Sequence, residues 1–145
     1  MTDAKRWQFA PQAAQALVAN TALEPLGVTI TALDEEQVVL TMPITNAARQ
    51  PMGMLHGGVS LLLAESAASM HAAFLVDVNE KVPVGIEVSG SHLNSAADGT
   101  VAAVGKVLRL SRSLVVHEVA IWHQETGKQL SAVRVTNYYK TVKRT

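Results

Sequence analysis

The stretch from Gly57 to Val76 constrains this chain more than any other. It contains no proline and is rich in alanine and leucine, both strong helix formers. A helix of that length spans about 30 Å. Val59, Leu61, Leu62, Leu63, Ala67, Ala68, Met70, Phe74 and Leu75 put apolar side chains on every side of it. Such a helix is buried on most faces or crosses a membrane. Glu65, His71, Ser60, Ser66 and Ser69 interrupt the run, and a carboxylate in mid-bilayer is costly. The segment therefore reads as a core helix, and the rest of the chain must supply the surface that covers it.

The flanking sequence supplies strands. Pro11 to Ala22, rich in Ala, Gln and Leu, reads as a short N-terminal helix with Pro11 in its first turn. Gly27 to Leu33 reads as a strand, Asp34-Glu35-Glu36 as a charged turn, and Gln37 to Ile44 as a second strand ending near Pro43. Asn46 to Met54, with Pro51 and Gly53, reads as a loop. After the helix come Val82 to Leu93, the turn Ala97-Asp98-Gly99, Thr100 to Leu110 and Ser113 to His123. The turn Glu125-Thr126-Gly127 then closes a hairpin onto Lys128 to Tyr139. These last four strands are expected to run as a meander. No repeat or linker divides the 145 residues, so one α+β domain is expected, an antiparallel sheet wrapped around one central helix. The remaining sheet surface is expected to pair with another subunit.

Composition narrows the partners. Lys+Arg and Asp+Glu both number 12, so no excess positive charge points to nucleic acid or an anionic membrane. The basic end, Lys140, Lys143 and Arg144, reads as a solvated tail. The absence of cysteine removes disulfides, thiolate metal sites and cysteine nucleophiles. Met1 to Phe9 has no apolar signal core, which leads us to expect a cytoplasmic protein.

Chemistry concentrates at the start of the helix. Gly57 and Gly58 leave backbone N–H groups uncovered, and these together with the helix dipole favour negative charge, including an oxyanion at a carbonyl carbon. The same glycines can instead serve only tight packing. Glu65 loses solvation in an apolar helix, so its charge needs partners, and either a structural or a catalytic role fits. Ser69, at i+4, and Gly58, at i−7, share its face. Backbone donors, a carboxylate and a hydroxyl on one stripe are what acyl transfer can use. Met52 and Met54 can line an acyl pocket or pack within their loop. His71 lies off the Glu65 face and reads as a packed helix residue. His117 and His123 are expected to face solvent or the sheet. No spacing supports a metal site and no Gly-x-Ser-x-Gly elbow supports a serine hydrolase.

Gln50-Pro-Met-Gly-Met-Leu-His-Gly-Gly-Val-Ser-Leu-Leu-Leu-Ala-Glu-Ser resembles the signature of hotdog-fold thioesterases of the phenylacetic-acid-degradation superfamily. The Glu version resembles the branch that hydrolyses aromatic acyl-CoA, including the 4-hydroxybenzoyl-CoA, 1,4-dihydroxy-2-naphthoyl-CoA and enterobactin proofreading thioesterases. Gly85 to His92, Asp98-Gly99 and Leu110-Ser111-Arg112 extend the likeness. The resemblance implies Glu65 as nucleophile or general base and the Gly57 N–H as donor to the thioester carbonyl. It implies that Gln50 and His56 orient the carbonyl or leaving group, and that Ser69 positions the water. His92 corresponds to a histidine near the acyl pocket in one subgroup, although Leu93 stands where that subgroup carries a second histidine. Met54 is grouped with the substrate side, and Arg112 and Ser113 fall where relatives contact the CoA nucleotide. The resemblance further implies acyl-CoA as substrate, no cofactor beyond the CoA of the substrate, and a homodimer or homotetramer.

Two other functions compete with acyl-CoA hydrolysis. A hotdog dehydratase or hydratase also uses a helix carboxylate and a histidine, but the His-Phe-Pro-Gly type stretch usual in such enzymes is absent. A non-catalytic acyl-CoA binder would not need Gln50, His56, Glu65 and Ser69 together.

Overall fold

The computed structural model describes residues 14–143. Six strands form one antiparallel sheet: β1 (Thr29–Leu33), β2 (Val38–Pro43), β3 (Lys81–His92), β4 (Thr100–Leu110), β5 (Leu114–His123) and β6 (Gln129–Thr141). Helix α1 (Gly57–Phe74) lies between β2 and β3 in the chain and packs on one face of the sheet. The alternation seen in the sequence sets which face that is. Val115, His117, Val119, Ile121 and His123 on β5 point inward, as do Val133, Val135, Asn137 and Tyr139 on β6. Leu40, Met42, Leu63 and Ile121 are wholly buried in the core. Each side chain of that size stabilises the fold by about 1.5–3 kcal/mol relative to leaving it exposed. Ala64, Ala67, Ala68 and Ala72 form the buried stripe of α1 with Leu63, and their small side chains let the helix lie close to the sheet.

Several expectations change. The strands do not meander in chain order: the sheet runs β1-β2-β4-β5-β6-β3. β4, β5 and β6 do form a meander, but β3 crosses to the far edge, where among the described residues it pairs only with β6. Short hairpin turns join β4 to β5 and β5 to β6, whereas residues 93–99 have to carry the chain from one edge back to the middle.

The helix is also less enclosed than its composition implies. One sheet covers one side, so Leu61, Leu62, Glu65, Ser66, Ser69 and Met70 stay half-exposed in the single chain. Of the N-terminal helix expected over Pro11 to Ala22, Pro11 lies outside the described residues, Ala14 is helical, and Gln15–Val18 form a 3₁₀ turn followed by further turns rather than a continued α-helix. There the Gln15 amide is tied to the backbone of Val28 and Ile30, fastening the turn to the start of β1.

His117 and His123 point into the protein, and neither faces solvent. His123 is bonded to Thr126 and to the Asp98 carbonyl, which fastens the β5–β6 turn to the loop before β4. His71 is packed, as expected, and wholly buried.

The outer edge of β3 has no partner strand among the described residues. Val84 and Ile86 on it are 43% and 59% exposed, and Ile86 is the bulged residue between Gly85 and Glu87. A long edge strand with apolar side chains and unpaired backbone is a ready surface for another chain.

Candidate active site

The start of α1 is built by its own residues. His56 is the N-cap, and its Nδ1 accepts from the Gly58 N–H at 2.8 Å. That bond leaves Nε2 to carry the proton of the neutral ring, a free donor beside the helix end. It also uses up one of the two glycine N–H groups. The Gly57 N–H has no acceptor among the described residues, so of the pair only Gly57 offers an unused donor at the positive end of the dipole.

A pocket of about 150 Å³ opens at this end of the helix, lined by Gln50, Leu55, Gly57, Ser60 and His92, with Asn94, Ser95, Leu130 and Ser131 completing its wall. The imidazole of His92 lies against Gly57 so closely that a Cβ there would sit 2.5 Å from Nε2. Its Nδ1 is 2.7 Å from the hydroxyl of buried Ser131, which fixes the ring plane. Gln50 is held by its loop, with its backbone N–H donating to the Met54 carbonyl at 2.8 Å and its side-chain oxygen accepting from the Met52 N–H.

Glu65 is not in that pocket. Two turns further along α1, at about 1.5 Å per residue, its backbone lies roughly 12 Å from Gly57. Its carboxylate faces β3 at Gly85, where a Cβ would lie 3.1 Å from Oε2. A glycine there lets the carboxylate approach the strand. No described residue hydrogen-bonds the carboxylate. One turn on, the Ser69 hydroxyl donates to Asn137 Oδ1 at 3.2 Å.

The remaining candidates lie apart from both groups. Arg112 and Ser113 form the exposed β4–β5 turn, near the other end of α1. The Arg112 carbonyl accepts from Lys81 Nζ and the Ser113 carbonyl from the Tyr139 N–H. Met52 is 87% exposed and Met54 36%, and neither lines the Gly57 pocket. One chain thus presents an oxyanion-type donor without a carboxylate at one place and a carboxylate without such a donor at another.

Residues 52–129 match the family model described as the thioesterase superfamily. The chain belongs to that superfamily and is a thioester hydrolase. Among its relatives are a 1,4-dihydroxy-2-naphthoyl-CoA hydrolase of Listeria monocytogenes and a proofreading thioesterase of Cronobacter sakazakii. The first is 37% identical, over 78% of this chain and 90% of that protein. The second is 34% identical, over 86% of this chain and 90% of its own. A crystal structure of a Haemophilus influenzae thioesterase superposes with a TM-score of 0.88 at 30% identity, covering 94% of both chains. The hotdog architecture expected from the sequence is therefore the one this thioesterase has. No helix among the described residues is long and apolar enough to cross a membrane.

The sequence reading missed Ser131 and Asn137, which hold His92 and Ser69. Both had a visible signal. Asn137 occupies an inward position in the alternating row Val133, Val135, Asn137, Tyr139, where a polar residue needs a partner. Ser131 sits in the same strand, opposite His92 in the β3–β6 register.

Proposed function

We propose that this thioesterase hydrolyses the thioester of a small aromatic acyl-CoA at sites shared between two subunits. The observation that carries the reading is the separation within one chain of the Gly57 donor from the Glu65 carboxylate. A reacting carbon has to lie about 3 Å from both the oxyanion donor's oxygen and the attacking group. A glutamate side chain leans toward the helix N-terminus but covers only part of a ~12 Å gap. Two α1 helices antiparallel about a two-fold axis bring Glu65 of one subunit beside Gly57 of the other, and the free β3 edge offers the surface for that pairing.

In this arrangement the thioester oxygen accepts from the Gly57 N–H, while Gln50 and the His56 Nε2–H orient the carbonyl or the sulfur. Glu65 attacks the carbonyl carbon, or removes a proton from a water that does so, with Ser69 positioning that water. On the general-base route the tetrahedral intermediate collapses with cleavage of the C–S bond, the thiolate takes up a proton, and the free acid and CoA leave. On the nucleophilic route the same collapse leaves an acyl anhydride on Glu65, which a water then cleaves to the free acid and the regenerated carboxylate. His92 and Met54 border the acyl group. Arg112 and Ser113 meet the nucleotide of a CoA that reaches the far end of the partner's helix. The aromatic acyl class is favoured by the Leu-Ala-Glu form of the signature and by the relative named for 1,4-dihydroxy-2-naphthoyl-CoA. As the family resemblance implies, no metal or cofactor beyond the CoA of the substrate is expected to take part.

The test is thiol release from benzoyl-CoA and decanoyl-CoA beside water addition to crotonyl-CoA, for the native protein and Glu65→Gln. Hydrolysis of the aryl thioester should dominate, and the variant should lose at least ~10²-fold in kcat. Near-normal kcat in Glu65→Gln would remove Glu65 from the mechanism, and preference for decanoyl-CoA would remove the aromatic assignment.

A further inference from the structure

Asn137 is wholly buried on the inward face of β6, in a row it shares with Val133, Val135 and Tyr139. Its side chain makes one hydrogen bond, accepting from Ser69 at 3.2 Å, and its Nδ2 has no partner among the described residues. An idle buried amide group destabilises a fold that an apolar side chain would serve at no such cost. The residue therefore invites a reason beyond packing.

Ser66 shows one course open to a serine on this helix. Its hydroxyl donates to the Leu62 carbonyl one turn back, at 2.7 Å. Ser69 does not fold back in this way, because Asn137 holds it toward β6. A half-turn of the amide reverses the polarity of that contact. Nδ2 then donates to the Ser69 oxygen and Oδ1 becomes the idle atom. An under-used carbonyl oxygen is tolerated in protein interiors better than an unpaired N–H, which favours this second rotamer. The hydroxyl, having accepted, is free to give its own proton elsewhere. Glu65 is one turn away on the same face. One point above the Gly85 Cα lies 3.1 Å from Glu65 Oε2 and 3.8 Å from Asn137 Oδ1, so carboxylate and amide look into the same space.

We propose that Asn137 is a positioning residue that holds Ser69 off the helix backbone and points its O–H toward the Glu65 carboxylate or the water between them. This rests on the assignment of Glu65 and Ser69 to the reacting site. Asn137 itself touches no reacting atom.

The experiment compares Asn137→Val, Asn137→Asp, Ser69→Ala and the double variant Asn137→Val/Ser69→Ala, in kcat, KM and Tm, using whichever acyl-CoA the native enzyme hydrolyses fastest. Asn137→Val should keep its Tm and its KM within about twofold while kcat falls about tenfold, the size of one positioned hydrogen bond. The double variant should be no worse than Ser69→Ala, because the asparagine acts through the serine. Asn137→Asp should be impaired at neutral pH, where an ionised carboxylate only accepts. It should regain activity relative to the native enzyme as pH falls and its protonated form can donate again. A native kcat in Asn137→Val, or losses that multiply in the double variant, overturns the proposal. If the valine variant fails to fold, the aspartate variant decides: a pH profile parallel to the native one overturns it as well. If instead Glu65→Gln and Ser69→Ala are themselves near native, it is the underlying site assignment that fails.

Discussion

His71 and His117 form a buried pair whose protons can be assigned from geometry. His71 Nε2 lies 2.8 Å from the Asp34 carbonyl, which can only accept, so that nitrogen carries the proton. His71 Nδ1 is then an acceptor, and His117 Nε2, 2.8 Å away, donates to it. His117 Nδ1 is left deprotonated, buried and without a partner among the described residues. A further proton would have to go to that nitrogen, with no acceptor and beside another imidazole. Burial, and secondarily the neighbouring His71, accordingly lower the His117 pKa from 6.5 to about 4. The unfolded chain takes up this proton near pH 6.5 while the native chain resists until about 4. Between those values the unfolded state binds more protons, so stability is full above pH 6.5 and falls as pH drops. At 1.36 kcal/mol per unit the loss comes to ~3 kcal/mol by pH 4. Burial lowers the His71 pKa too, which acts in the same direction. Urea unfolding at fixed protein concentration, run from pH 8 to pH 4, measures this against His117→Gln, whose amide can still donate to His71 but does not titrate. The native protein should lose ~3 kcal/mol relative to the variant across that window, a midpoint shift of ~1–3 M urea. Parallel curves for the two proteins would refute the proton assignment.

Other outcomes follow from the site. Mixing Glu65→Ala subunits with subunits carrying His56→Ala and Gln50→Ala should restore about half of native activity per mixed dimer from two nearly inactive parents, since one of two equivalent sites then carries neither lesion; verified heterodimers as inactive as the parents would refute the shared site. Gly57→Ala puts a Cβ 2.5 Å from His92 Nε2, so the ring must swing off Ser131; kcat/KM should fall about tenfold or more with the fold intact by circular dichroism. Dialysis against a strong chelator should leave the rate unchanged, and a loss restored by zinc or magnesium would show that a metal takes part.

The strands and α1 were legible because their patterns are local. β5 alternates without a break, and the Ala-Leu run of α1 has no competitor. Strand order was not legible, because β3 carries no local mark of its destination. Its pairing with β6 is decided by which edge can accept a twelve-residue strand after α1 has covered the sheet. Hydrophobicity also misjudged how much of α1 one chain can bury. A sheet covers one side of a helix, so the apolar residues opposite Ala64 and Ala68 are left half-exposed. Their composition is what a second chain would need, which ties this misreading to the free β3 edge.

The same limit applies to the candidate site. Spacing puts Gly58, Glu65 and Ser69 on one stripe, and that much holds. Spacing cannot tell which glycine keeps its N–H: that depends on His56 capping Gly58, a contact between a side chain and the backbone two residues on. Nor can it tell that Glu65 meets Gly85 and Ser69 meets Asn137, because these contacts cross from helix to sheet and depend on the β3–β6 register, in which Gly85 lies opposite Asn137. That register pair gives the carboxylate room on one strand and gives the serine a partner on the next. A side chain larger than glycine at position 85 would crowd the carboxylate, and an apolar one at position 137 would release the serine to the helix. The carboxylate was evident from α1 alone, whereas the residues that hold its surroundings became evident only once β3 had crossed to β6.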